Sequence, residues 1–136
     1  MRVAAIAGPS GAGKTTLIVE LIQRYRAGGA RVGAIKHTHH PLNEEHRGDT
    51  GRFVDAGAEP VILASAGAAV LFTRGGTARA TYGDARELLA RLDTDIVLIE
   101  GFKDSDAWPK VTITGHVHPT AEAVMKELDV MWRSQP

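Results

Sequence analysis

A glycine-rich stretch near the start of the chain has the residue types and spacing of a phosphate-binding loop. Residues 8–15 read Gly-Pro-Ser-Gly-Ala-Gly-Lys-Thr and fit G-x-x-x-x-G-K-[ST] in full. Backbone N–H groups of such a loop converge on nucleotide phosphates, and glycine is needed where a side chain would block the approach or where φ is positive. The residues expected to contact a nucleotide here are Gly8, Ser10, Gly11, Ala12, Gly13, Lys14, Thr15 and Thr16.

Two side chains of this stretch have distinct predicted roles. Lys14 should reach the β- and γ-phosphates, and Thr15 should offer its hydroxyl to Mg²⁺. The helix that follows would direct its positive amino end at the anion. A glycine turn before a surface helix is the alternative, because short glycine patterns also arise by chance. The context favours phosphate binding, since the motif follows a buried strand and opens an amphipathic helix.

Two acids are candidates for holding the metal ion. Glu100 ends an apolar run at 96–99, and Mg²⁺ usually keeps several waters while taking one or two carboxylates. We therefore expect Glu100 to organise the Mg²⁺ shell, directly or through water, rather than only to end a strand in solvent. Asp49 lies in the long loop after the second strand, where P-loop proteins carry segments that sense the γ-phosphate. Solvent exposure or helix capping is the alternative role for Asp49.

A lysine and a string of histidines close the second predicted strand. Lys36 either faces the phosphates or is a surface lysine beside a turn, and His37-Thr38-His39-His40 follows it. Histidines two apart can chelate a metal, with His46 as a further ligand, but the chain has no cysteine to join them. Contact of His37 with a phosphate or a partner is the preferred interpretation, and metal binding stays the alternative.

A strand, a helix and a second strand must position these residues. Residues 3–7 are continuously apolar, as in a strand buried on both faces. Apolar residues recur at helical spacing over 14–26, glycines at 28 and 29 end the helix, and 31–36 form the second strand. This order predicts a right-handed parallel crossover with the glycine loop at the carboxyl end of the first strand.

The rest of the chain extends the same layer. We predict a short helix at 49–56, a hairpin of strands at 61–64 and 69–73, and an edge strand at 78–82. Asp84 can cap a further helix, with Glu87 completing the capping pattern. Strands at 95–101 and 110–114 and a helix at 120–132 complete the prediction. The expected fold class is α/β, a P-loop NTPase-like, mostly parallel twisted sheet flanked by helices. One nucleotide-binding domain should span 1–136, with 115–136 as a helical C-terminal tail.

Composition narrows the function classes. The chain has 136 residues, 16 Lys and Arg against 16 Asp and Glu, and no cysteine. Disulfides and thiolate metal sites are excluded, and the charge balance disfavours nucleic-acid binding, which needs a basic excess. The longest weakly polar run, at 61–72, is too short to span a membrane, so we expect a cytoplasmic protein with no membrane contact. Apolar strands at 61–64 and 69–72, read as sheet edges, would favour a homodimer.

Several strings resemble the family of molybdopterin-guanine dinucleotide biosynthesis adapter proteins, usually called MobB. They are 8–16, the Val-Gly-Ala-Ile-Lys-His-Thr-His-His string at 32–40, 48–52 running on to 56–58, the Leu-Ile-Glu-Gly-Phe-Lys string at 98–103, and 109–111. The resemblance covers 2–114. The lysine-histidine and glutamate-glycine-phenylalanine-lysine strings in this order are far more specific than the phosphate loop alone. Gly51 stands where the family often has a larger residue, and 115–136 matches nothing in the pattern.

The resemblance implies a GTP-binding P-loop protein with weak GTPase activity that assists the MobA-type guanylyltransferase as it attaches GMP to molybdopterin. It also implies a homodimer. Carried over, Lys14 and Thr15 are phosphate and Mg²⁺ contacts, Glu100 is the second acidic position and Asp49 a switch-loop acid. Lys36 and His37 belong to the family pattern without an assigned role.

Two other readings stay open. A P-loop small-molecule kinase would need an arginine-rich lid, and Arg74, Arg79, Arg86 and Arg91 are available but form no compact group. A metal-insertion GTPase is suggested by the histidines alone. The chain has no evident guanine-reading Asn/Thr-Lys-x-Asp pattern, so the choice of GTP depends on the resemblance.

Overall fold

The strand that leads into the phosphate loop lies inside a sheet. The computed structural model describes residues 1–42, 48–102 and 105–135. In this part of the chain the sheet has seven strands: β1 (Arg2–Ala7), β2 (Val32–His37), β3 (Val61–Ser65), β4 (Ala68–Thr73), β5 (Gly76–Thr81), β6 (Ile96–Glu100) and β7 (Lys110–Thr112). The helices are α1 (Lys14–Ala27), α2 (Asp49–Ala56), α3 (Ala85–Leu89) and α4 (Ala121–Arg133).

The strand order is β5-β4-β3-β2-β6-β1-β7. Strands β3, β2, β6, β1 and β7 run parallel, whereas β4 and β5 are antiparallel additions. The predicted mostly parallel sheet and the predicted hairpin of β3 and β4 are confirmed. One expectation is wrong: β3 and β4 are not sheet edges, because β5 pairs with the outer side of β4. The exposed edge on that side is β5.

Helices cover both faces of the sheet, and alternate strand residues point to opposite faces. Ala4 and Ile6 of β1 pack in a cluster with α1, α2 and α4, while Ala5 packs with Leu88 of α3 on the other face. Strands buried on both sides need continuously apolar sequences. This is why the apolar runs of β1 and β6 could be recognised as strands from the sequence. The predicted α/β class is therefore confirmed. Within the described residues, no helix is both long enough and apolar enough to cross a bilayer.

The C-terminal helix is fixed at both ends. Thr120 caps α4, its hydroxyl accepting from the Ala123 N–H at 3.1 Å. At the other end the Trp132 indole N–H donates to the Val3 carbonyl at 2.8 Å, and the Arg2 guanidinium lies 5.0 Å from the centre of the Trp132 rings. Residues 113–120 therefore run from the end of β7 to a helix anchored beside β1, which takes them past the phosphate loop.

Candidate functional site

The glycine loop between β1 and α1 has backbone that a side chain would disrupt. Gly8 has φ of +152°, and a Cβ there would lie 2.4 Å from the Ile113 carbonyl oxygen. Gly13, at φ of +95°, is the N-cap of α1 and has no side chain to accept from the first-turn N–H groups. Those donors are therefore available to an anion. The Lys14 ammonium donates to the Gly8 carbonyl at 2.7 Å, which holds its charge over the loop.

A cavity of about 350 Å³ opens above this loop. Most of the residues that the sequence predicted for the site line it, together with Arg52: Ser10, Gly11, Gly13, Lys14, Thr15, Thr16, Lys36, Asp49, Arg52 and Glu100. Gly8 contacts the segment after β7, and Ala12 is buried beneath the loop. We call this cavity the phosphate cleft.

The acids meet at one end of the phosphate cleft. The Thr15 hydroxyl donates to Glu100 Oε1 at 3.0 Å, and Glu100 is only 3% exposed. Lys36 Nζ donates to Asp49 Oδ2 at 2.6 Å and forms a close ion pair with Glu100 Oε2. Lys36 and Glu100 are register partners on the parallel strands β2 and β6, so their side chains leave the sheet at the same level. The structure therefore brings together Thr15, Asp49 and Glu100, the three predicted metal ligands.

Lys36, Asp49 and Glu100 form what we call the acid cluster, and hydrogen bonds within it set the charges of Lys36 and Asp49. Burial lowers the pKa of Lys36, but its hydrogen bonds to Asp49 and Glu100 outweigh burial and raise the pKa above its usual value. Burial raises the pKa of Asp49, but its bonds to Lys36 and Thr15 outweigh that effect and lower it. Lys36 is thus charged and Asp49 ionised at neutral pH. A hydroxyl and two carboxylates are hard oxygen donors, a set that fits Mg²⁺.

Arg52 is a site residue that sequence reasoning did not single out. Its guanidinium donates to the Thr16 hydroxyl at 3.3 Å, which ties α2 to the first turn of α1. Phe53, next in the chain, is fully buried under the sheet and anchors the same helix. The signal was available in the spacing, because Arg52 lies three residues after Asp49 and so on the same side of a helix.

The histidine string lines a neighbouring cavity instead. His37 stacks on Phe102 with ring centres 4.2 Å apart and planes at 11°, and His39 meets His37 edge-on. Burial, and then the charge of His39, lower the pKa of His37, so it is neutral at neutral pH. This cavity, of about 830 Å³, shares Lys14, Lys36, Asp49 and Glu100 with the phosphate cleft. His37 is not among the residues that line the phosphate cleft, and its predicted phosphate contact stays a prediction.

A metal site built on histidines has no support in the described ranges. No group of three or more histidines and carboxylates is arranged there to hold a metal ion. His46, which the sequence suggested as a further ligand, lies outside the described residues.

Comparison with known proteins gives one consistent result. The family described as molybdopterin guanine dinucleotide synthesis protein B, MobB, matches residues 3–132. The molybdopterin-guanine dinucleotide biosynthesis adapter protein of Escherichia coli is 41% identical over 106 residues, which are 75% of this chain and 59% of that protein. Its counterpart in Haemophilus influenzae is 38% identical over 110 residues, 79% of this chain and 60% of that protein. The chain thus spans about three fifths of the length of these relatives.

A solved structure agrees with the sequence matches. The crystal structure of a MobB protein homolog from Bacillus stearothermophilus aligns with a TM-score of 0.51 at 26% identity, covering 84% of this chain and 64% of that one. The resemblance inferred from the lysine-histidine and glutamate-glycine-phenylalanine strings is confirmed. On the match over nearly its whole length, the chain belongs to the MobB family.

Proposed function

We propose that the protein is a GTP-binding adapter that assists a MobA-type guanylyltransferase in the biosynthesis of molybdopterin guanine dinucleotide. The observation that carries this proposal is the convergence of Lys14, Thr15, Asp49 and Glu100 on one cleft above the phosphate loop. The names of the two relatives, both adapter proteins of this biosynthesis, support the role of adapter.

Each residue of the proposed site has its own role in binding the phosphates or the metal ion. Lys14 and the first N–H groups of α1 bind the phosphates, while the Thr15 hydroxyl and the Glu100 carboxylate hold the metal ion, with Asp49 beside them. Mg²⁺, when bound, neutralises phosphate charge and orients the terminal phosphate. Lys36 keeps Asp49 and Glu100 in place by contacting both carboxylates. Arg52 closes the α2 side of the cleft.

Hydrolysis by this site should be slow. Among the described residues, no glutamine or histidine lines the phosphate cleft to orient an attacking water. The acids are held by Lys36 and Thr15 rather than left free to accept a proton. Binding without rapid turnover suits an adapter, whose nucleotide state controls a partner. We further propose that the chain is one nucleotide-binding domain, acts as a homodimer and resides in the cytoplasm.

Calorimetry with GTP, ATP and GDP, each with and without Mg²⁺, tests the proposal. We expect GTP to bind in a Mg²⁺-dependent way and more tightly than ATP. Lys14→Ala should weaken GTP binding at least tenfold with the fold intact, because a charge-assisted contact contributes about 1.5 to 3 kcal/mol. Lys126→Ala, a change at an exposed position of α4, is the matched control and should leave binding unchanged.

Two results would contradict the proposal. GTP affinity unaffected by Lys14→Ala would exclude the phosphate loop as the binding site. Turnover above about 1 s⁻¹ without a partner, or phosphate transfer from the nucleotide to a small metabolite, would instead favour a P-loop kinase.

A further inference from the structure

The phosphate loop has a second flank, opposite the acid cluster, and the segment 113–119 packs against it. A Cβ on Gly8 would lie only 2.4 Å from the Ile113 carbonyl oxygen. A Cβ on Gly115 would lie 3.5 Å from Cα of Ala12, and a Cβ on Gly13 would lie 3.6 Å from Nδ1 of His118. This segment follows β7, the parallel neighbour of β1 on the side away from β6.

A separate cavity of about 290 Å³ lies between this segment and the first turns of α1. Its inner side is apolar, since Ala12, Leu17 and Ile113 are buried there. Glu20, His118 and Pro119 form the outer wall. Gly13 and Thr16 line both this cavity and the phosphate cleft, so the two spaces adjoin. We call it the flank cavity.

The direction of a bound triphosphate follows from the acid cluster. Lys14 reaches the β- and γ-phosphates in loops of this kind, and the threonine after it faces the metal ion beside them. Thr15 donates to Glu100, so the terminal phosphate belongs at the β6 end of the phosphate cleft. The nucleoside must then leave past Gly13 and Thr16, towards β7. A cavity of this size, at the low end for ligand pockets of about 300 to 1,000 Å³, suits a base and sugar rather than a whole nucleotide.

We propose that the flank cavity holds the purine nucleoside of the nucleotide whose phosphates occupy the loop, with the His118 imidazole against the base. This rests on the proposed function, since it extends the same site. A base needs apolar contacts and a ring to stack on. Leu17 and Ile113 supply the apolar contacts and His118 supplies the ring. His118 is a contact for the nucleoside and makes none with the phosphates.

The test separates the nucleoside from the phosphates. Binding of GTP and of inorganic tripolyphosphate, both with Mg²⁺, is measured for the wild type, His118→Ala and His118→Phe. We expect His118→Ala to weaken GTP about tenfold, as loss of one stacking contact would, and to leave tripolyphosphate within twofold. His118→Phe should restore GTP binding. His116→Ala, an exposed position of the same segment, is the control and should change neither affinity.

Retained tripolyphosphate binding also shows that the variant is folded and that its loop is intact. Equal losses for both ligands would overturn the inference, because His118 would then support the loop rather than the base. Unchanged GTP affinity in His118→Ala would also overturn it. Failure of the wild type to bind either ligand would overturn the proposed function and this inference together, whereas the first two results overturn this inference alone.

Discussion

A lysine held between two carboxylates is the central feature of the site. Lys36 contacts Asp49 and Glu100 at once, and it is only a quarter exposed. The two carboxylates thus provide a site that stabilises a positive charge placed between them. Asp49 and Glu100 differ, however, because Glu100 is buried at the end of β6 while Asp49 begins a short helix and is about one-third exposed.

This difference predicts unequal contributions to the coupling between Mg²⁺ and nucleotide. Glu100→Gln should reduce the strengthening of GTP binding by Mg²⁺ more than Asp49→Asn does, because Glu100 accepts from Thr15 and is shielded from water. Titrations of each variant with and without Mg²⁺ measure the coupling. A larger effect of Asp49→Asn would reverse the roles of the two acids.

The lowered pKa of Asp49 predicts a pH dependence of stability. A carboxyl with a lower pKa in the folded state stabilises the fold above its unfolded pKa, and this contribution is lost as pH falls through the folded pKa. The free energy of unfolding of wild type should therefore exceed that of Asp49→Asn by a constant amount from about pH 5 to pH 8. The excess should shrink as pH falls below 3.8, the ordinary value. Urea unfolding at several pH values measures it, and an excess as large at pH 2 as at pH 7 would be inconsistent with the pairing.

Sequence could identify these residues but not their contacts. Lys14, Thr15 and Glu100 stood out because a motif or a strand end marks each one. The Lys36–Asp49 bond joins residues 13 positions apart, and the Thr15–Glu100 bond joins residues 85 apart. Such contacts depend on which strands are neighbours in the sheet. The pattern of apolar and polar residues in a single sequence does not give that strand order. The stacking of His37 on Phe102 was missed for the same reason.

At the scale of elements, the phosphate loop is held between two strands. Strand β1 leads into it, and the exit of β7 closes against it at Gly8. Sequence predicted β1 and α1 with bounds close to those observed, because a continuous apolar run marks β1 and helical spacing ended by glycines marks α1. The predicted bounds of α2, 49–56, are also those observed. The position of β7 beside β1, and hence the flank cavity, followed only from the sheet order.

The contact between Gly8 and Ile113 gives a prediction for the loop. Gly8→Ala should lower the free energy of unfolding by about 1 to 3 kcal/mol more than Gly11→Ala, because its Cβ would meet a backbone oxygen that cannot move aside. Gly11 is a fair control, since it also has positive φ but open space around it. Urea unfolding of both variants gives the comparison. Equal losses of unfolding free energy in the two variants would mean that the phosphate loop can move away from β7 at little cost.

At the scale of the whole molecule, the sheet ends in two unequal edges. Strand β7 has three residues, whereas β5 has six and is mostly exposed. An exposed edge of that length invites pairing with another chain. The apolar hairpin that sequence treated as the edge lies inside the sheet, so we expect the proposed homodimer to form at β5. Sedimentation should give twice the chain mass, and a strict monomer would refute the proposed homodimer.

Partner binding should depend on the nucleotide. Asp49 and Arg52 lie in the first turn of α2 and also line the phosphate cleft. A nucleotide bound in the cleft would therefore contact α2, whose outer face is exposed beside the cleft. We expect a MobA-type transferase to bind the wild type more tightly with GTP and Mg²⁺ present than without, and to bind Lys14→Ala with no such difference. Titration of the transferase under both conditions measures this. Equal affinity of the wild type in both conditions would show that the nucleotide does not control the partner. The proposed adapter role would then depend on a surface independent of the phosphate cleft.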